Sequence, residues 1–107
     1  MKPRLMFVTL VAAECLALAA VAAEINIDQV NQKFSKSSVT VAVGDALHFK
    51  NGDDVTHNIN VTLDGGDPED QGLQKPGEII RYTFAKAGDY DVRCSIHPRM
   101  KMAVSVK

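Results

Sequence analysis

The sequence predicts an all-β protein, a small sandwich or barrel of short strands behind an N-terminal leader. Three observations carry this. From residue 24 onward, apolar side chains recur with a period of two, as in strands that bury one face. Turn residues punctuate that pattern at short intervals, giving six or seven strands. No stretch after the leader has a 3.6-residue apolar period, so no helix is predicted.

The leader comes first. Lys2 and Arg4 precede an apolar run from Leu5 to about Ala20, followed by Val21-Ala22-Ala23. Basic residues, an apolar stretch and small residues in that order form a secretory signal peptide. Cleavage after Ala22 or Ala23 fits, and the boundary after Ala23 is the one adopted: leader 1–23, domain 24–107. Glu14 interrupts the apolar run. A carboxylate at the centre of a membrane span costs roughly 2.5–3.5 kcal/mol on insertion scales, which disfavours an uncleaved anchor. It also stands where a lipoprotein signal wants a small residue before Cys15.

Removing the leader leaves 84 residues with 10 Lys and Arg against 12 Asp and Glu. That near-neutral, slightly acidic balance argues against a nucleic-acid partner. A core of this size is marginal and wants a staple. Only Cys94 remains, so no internal disulfide is possible, and the thiol is free for other chemistry.

The strands follow in order. Ile25 and Ile27 alternate with Asn26 and Asp28. Val39, Val41 and Val43 alternate with Thr40 and Ala42, ahead of a turn at Gly44-Asp45. Leu47 and Phe49 face one way, His48 and Lys50 the other. Beyond a polar loop, Ile59, Val61 and Leu63 alternate with Asn58, Asn60 and Thr62. Asp64 to Gln71 reads as an acidic turn. Glu78 to Phe84 is a strand with Ile80, Tyr82 and Phe84 inward. Gly88 turns the chain into Tyr90, Val92 and Cys94, and the last strand buries Met102, Val104 and Val106.

The chemistry lies near the C-terminus. Cys94, His97 and Met100 are spaced as Cys-x2-His-x2-Met, and His57 stands 37 positions before Cys94. A thiolate, two imidazoles and a thioether suit copper cycling between Cu(I) and Cu(II), because soft sulfur stabilises Cu(I) and imidazole serves both states. A lone inward cysteine is ordinarily inert core; the histidine and methionine at three-residue intervals beyond it favour a ligand. Zinc rarely takes a thioether, and paired Cys-x2-Cys or His-x3-His elements are absent. There is no haem-attachment motif, nucleophile elbow, phosphate-binding glycine loop or EF-hand spacing. The acids Asp67, Glu69 and Asp70 are either a patch that steers a basic partner or a solvated loop.

With Val43-Gly44-Asp45, His57-Asn58, Thr83-Phe84, Gly88, Tyr90 and Cys94-Ser95-Ile96-His97-Pro98-Arg99-Met100 in place, the chain from about Phe34 to Lys107 resembles the cupredoxins, the small blue-copper proteins. It is most like their amicyanin, pseudoazurin and plastocyanin groups. The resemblance implies a two-sheet Greek-key sandwich and one type 1 copper ion. It selects His57, which precedes Asn58, over His48, and Met100 over Met102, and so implies the ligands His57, Cys94, His97 and Met100. It further implies that the Asn58 N–H donates to the Cys94 sulfur, that the Asn58 side chain ties the two ligand loops together, and that Ile96 and Pro98 flank an electron exit at His97. Amicyanin-like loops carry proline where this chain has Ile96, which adds a backbone N–H beside the sulfur.

The expected function is one-electron transport in the bacterial periplasm, by a monomer that makes no bonds and is not an enzyme. Expected partners are a c-type cytochrome or a periplasmic dehydrogenase, an amine dehydrogenase among them. The alternatives are a periplasmic copper-delivery protein and an accessory copper subunit of a larger redox enzyme.

Overall fold

The computed structural model describes residues 3–4 and 21–107; apart from those few positions, the leader lies outside the described residues. Nine strands make two sheets. They are β1 Glu24–Val30, β2 Lys33–Phe34, β3 Ser38–Val41, β4 Ala46–Asn51, β5 His57–Leu63, β6 Glu69–Gln74, β7 Ile79–Thr83, β8 Gly88–Arg93 and β9 Lys101–Val106. One sheet runs β2-β1-β4-β7 and the other β3-β9-β8-β5-β6. The chain crosses from one sheet to the other after β2, β3, β4, β6 and β7. Two pairings are parallel, β1 with β4 and β3 with β9; the rest are antiparallel. Among the described residues there is no helix long and apolar enough to cross a membrane.

The inward face of each strand is the one the alternation marks. Ile27, Leu47, Phe49, Val61, Val92 and Val104 are among the buried core. Aromatic rings lock it edge to face, Phe84 against Tyr82 at 4.8 Å and against Tyr90 at 5.0 Å between ring centroids. Gly88 has φ 144°, and a Cβ there would meet Leu63 Cδ1 at 2.7 Å, so only glycine turns the chain into β8 under β5.

Four departures have physical causes. Val43 is half exposed, because Asp45 Oδ2 accepts the Ala42 N–H and draws the chain out of the sheet after Val41. Gln29 occupies an inward position of β1 where the pattern wants an aliphatic residue, and it is fully buried. The β1–β2 hairpin turns at Asn31 and Gln32, both at φ 54°, the two positive values of a type I′ turn without its usual glycine. Finally, Glu69 to Gln71, expected within the acidic turn from Asp64 to Gln71, belong to β6 with residues 72–74. This edge strand pairs with β5 through His57↔Gln74 and Val61↔Glu69, with a bulge between Asn58 and Asn60. Most of its residues are exposed, so it needs no apolar alternation, and charges on an edge discourage further pairing.

Candidate metal centre

The register of the second sheet assembles the site. Asn60 pairs with Arg93, so the start of β5 and the end of β8 meet at one end of the sandwich, bringing His57 beside Cys94. The 94–100 loop is closed by its own backbone, with Met100 N–H donating to His97 O at 2.9 Å and Cys94 N–H to Met100 O at 3.2 Å. That fold-back brings His97 over the cysteine and turns Met100 inward, fully buried.

Three donors converge. Nδ1 of His57 lies 3.0 Å from Nδ1 of His97, and Cys94 Sγ lies 3.9 and 3.7 Å from the same two nitrogens. A point about 2.1 Å from all three exists near their common plane, which matches bonds of about 2.0 Å to imidazole nitrogen and about 2.3 Å to thiolate sulfur. A trigonal His2Cys set suits copper rather than tetrahedral zinc. His57 and Cys94 are buried and His97 is half-buried, so one edge of the site reaches the surface.

The surroundings hold these donors in place. His57 Nε2 lies 2.7 Å from Asp53 Oδ2. A carboxylate has no proton to give, so the ring proton sits on Nε2 and the Nδ1 lone pair faces the cysteine. Asp53 also accepts the Asn31 and Gln32 N–H groups at 2.6 and 2.9 Å, and so fastens the type I′ turn to the ligand. Burial raises the Asp53 carboxyl, but hydrogen bonds from Gln32, His57 and Asn31 outweigh it and hold the group below its ordinary value. Asn58 N–H donates to Cys94 Sγ at 3.4 Å. The Asn58 side-chain oxygen accepts Ser95 N–H at 2.7 Å and the Ser95 hydroxyl at 3.0 Å, joining the two ligand loops. Its amide nitrogen donates to Asp70 Oδ1 at 3.1 Å.

Of the residues singled out in the sequence, His57, Cys94 and His97 come together, with Asn58 against the sulfur. Ile96 is half exposed and Pro98 exposed, on either side of His97. Among the described residues no hydrogen bond joins the Ile96 N–H to the sulfur. His48 lies on the outer face of the first sheet, where its Nε2 meets Glu24 Oε2. Two of the three acids considered for steering are engaged within the domain: Asp70 accepts from Asn58 and the Gly72 N–H, and Glu69 accepts from the Tyr82 hydroxyl at 2.8 Å. Asp53 escaped the sequence reading, although a carboxylate four residues before a ligand histidine in a short loop was available as a clue.

The family model for copper binding proteins of the plastocyanin/azurin family matches residues 21–107. The chain is 33% identical over 90 residues to the methylamine utilization protein MauL of Methylorubrum extorquens, covering 84% of this chain and 79% of that protein. It is 29% identical over 83 residues to amicyanin of Paracoccus denitrificans, covering 76% of this chain and 63% of that one. A solved structure of an amicyanin methionine variant in the Cu(I) form aligns with a TM-score of 0.72 at 28% identity, over 83% of this chain and 88% of that one. The Cu-containing nitrite reductase of Thermus scotoductus aligns with a TM-score of 0.69 at 30% identity over 78% of this chain, which spans only 22% of the enzyme. With the His2Cys triangle at the end of a two-sheet sandwich, these matches place the chain in the plastocyanin/azurin family of copper-binding proteins.

Proposed function

We propose that this type 1 copper protein carries single electrons between redox proteins of the periplasm, with His57, Cys94, His97 and Met100 as its ligands. The observation that carries the reading is the triangle of donors with a single half-exposed vertex, His97. Copper held there supplies a one-electron couple between Cu(II) and Cu(I). The chain's part is to keep the donors still. Asp53 fixes the His57 ring, Asn58 fixes the sulfur and the Ser95 loop, and burial of Cys94 and Met100 keeps water away. Met100, fully buried after the fold-back of its loop, is proposed as the weak axial donor.

His97, between exposed Ile96 and Pro98, is the proposed contact for partners. A brief redox encounter buries less than about 1,200 Å² in total, which a small patch of this kind supplies. MauL is named for methylamine utilization. On that ground an amine dehydrogenase is the proposed donor; a c-type cytochrome is the acceptor proposed from the resemblance to amicyanins.

Titration with Cu(II) should give one equivalent of an intensely blue complex, from charge transfer between the Cys94 sulfur and the metal. Cys94→Ser should be colourless, and Met100→Ala should stay coloured with an altered spectrum. Electron exchange with a c-type cytochrome, followed by stopped flow, should slow when His97 is crowded by Ile96→Arg. A colourless wild-type complex would overturn the ligand set; a blue protein that exchanges no electrons would overturn the carrier role.

A further inference from the structure

Asp45 is a buried carboxylate, 8% exposed, with no part in the metal centre. It sits in the turn between β3 and β4. Oδ2 accepts the Ala42 N–H and Oδ1 the Ala23 N–H, both at 2.8 Å. Among the described residues no lysine, arginine or histidine pairs with it. A buried carboxylate served only by neutral donors lacks a countercharge. Ala23 is tied down at its other end too, since its C=O accepts the N–H of buried Ala46 at 3.0 Å. The preceding residues are Ala20-Val21-Ala22, with alanine one and three places before the Ala22–Ala23 bond, the spacing of an A-x-A leader cleavage site. Residues 21–23 are exposed and outside any strand.

We propose that the leader is removed between Ala22 and Ala23, and that the α-ammonium so created is the countercharge of Asp45. A signal peptidase adds water across the amide. Ala22 departs as the carboxylate of the leader, and the Ala23 nitrogen becomes an amine that takes a proton at neutral pH. That nitrogen already lies 2.8 Å from Asp45 Oδ1. Cleavage one residue later, the boundary adopted from the sequence, removes the donor to Asp45 and the acceptor of Ala46 N–H. Each buried group left unpaired costs about 1–3 kcal/mol. The folded domain thereby has a use for Ala23, which agrees with the A-x-A spacing before the Ala22–Ala23 bond.

The pairing has a pH signature. Glu24, the residue after Ala23, is turned to Arg81 and His48, and no ion pair among the described residues involves Asp45. An ammonium paired with a carboxylate holds its proton more tightly than in the unfolded chain, where its value is about 7.7–8.0. Its stabilisation is therefore complete below that value and is lost as pH rises through the higher folded one.

The test starts from protein exported to the periplasm. Intact mass and N-terminal sequencing should give an 85-residue chain beginning Ala23-Glu24. A start at Glu24, or a retained leader, overturns the assignment. The melting temperature of the free-amine chain should then fall on going from pH 7 to pH 10 relative to the same chain N-acetylated. Parallel curves overturn the pairing. Asp45→Asn should abolish the difference, and persistence of the difference in that variant also overturns it. If Asp45→Asn does not fold, the acetylated comparison decides alone.

Discussion

Asp53 is one carboxylate with two tasks. It holds His57 in the tautomer a metal needs and accepts both N–H groups of a turn that lacks glycine. Asp53→Ala removes both. Loss of the partner that orients a ligand histidine typically costs about 10–100-fold in metal affinity. Copper affinity, measured by competition with a chelator, is expected to fall by that factor while the blue colour remains. Unchanged affinity would show that His57 needs no brace. Gln29 is the opposite case. It is fully buried, and neither end of its amide has a hydrogen-bond partner among the described residues. An unsatisfied buried amide costs about 1–3 kcal/mol, whereas a flexible apolar side chain of similar size costs little. Gln29→Met is therefore expected to raise the urea midpoint. A lower midpoint would mean that the amide has a partner, such as a buried water.

At the scale of the strands, β1, β4 and β7 are joined on their outer face by a charge cluster. Glu24 accepts from Arg81 Nη2 at 2.5 Å and from Nε at 3.2 Å, and also meets His48. The hydrogen bond from Arg81, then that from His48, lower the Glu24 carboxyl from 4.5 to about 2. A carboxyl depressed in the folded state contributes stability above its unfolded value and loses it as pH falls through the folded one. Glu24→Gln should thus lower the urea midpoint at neutral pH, and the difference should shrink between pH 4.5 and about 2. A difference that stays constant over that range would exclude the ion pairs as its cause. High salt should also reduce it, because the cluster is open to solvent. A second link, Tyr82 to Glu69, ties β7 of one sheet to β6 of the other. The rim of the sandwich is thus held by polar contacts where the apolar core ends.

At the scale of the whole molecule, the domain is small and the free Cys94 forms no disulfide. The metal centre joins the β4–β5 loop to the β8–β9 loop, so copper binds the folded chain in preference to the unfolded one. At a free concentration 1,000 times the dissociation constant such binding adds about 4.1 kcal/mol. Each kcal/mol raises the melting temperature of a domain of this size by about 4–8 °C. Copper removal should therefore lower the calorimetric melting temperature by more than about 15 °C. Equal values with and without copper would mean that the loops are already rigid and the metal staples nothing.

The sequence by itself determined a small all-β domain, sandwich or barrel, because one-sided burial imposes a period of two on β1, β4, β5, β8 and β9; the two-sheet sandwich came from the family resemblance. It also picked out Cys94 and His97, because copper chemistry admits few donor types and the 94–100 loop carries most of them, and the family resemblance chose His57 over His48. Tertiary structure alone decided three things. It made an edge strand of residues 69–74, which bury too little to show a pattern. It brought Asp53 to three partners across two loops, since no local rule says where a carboxylate's neighbours will come from. It gave Ala23 a place in the fold beside Asp45, because a contact between residues 22 positions apart exists only once β1 has paired with β4.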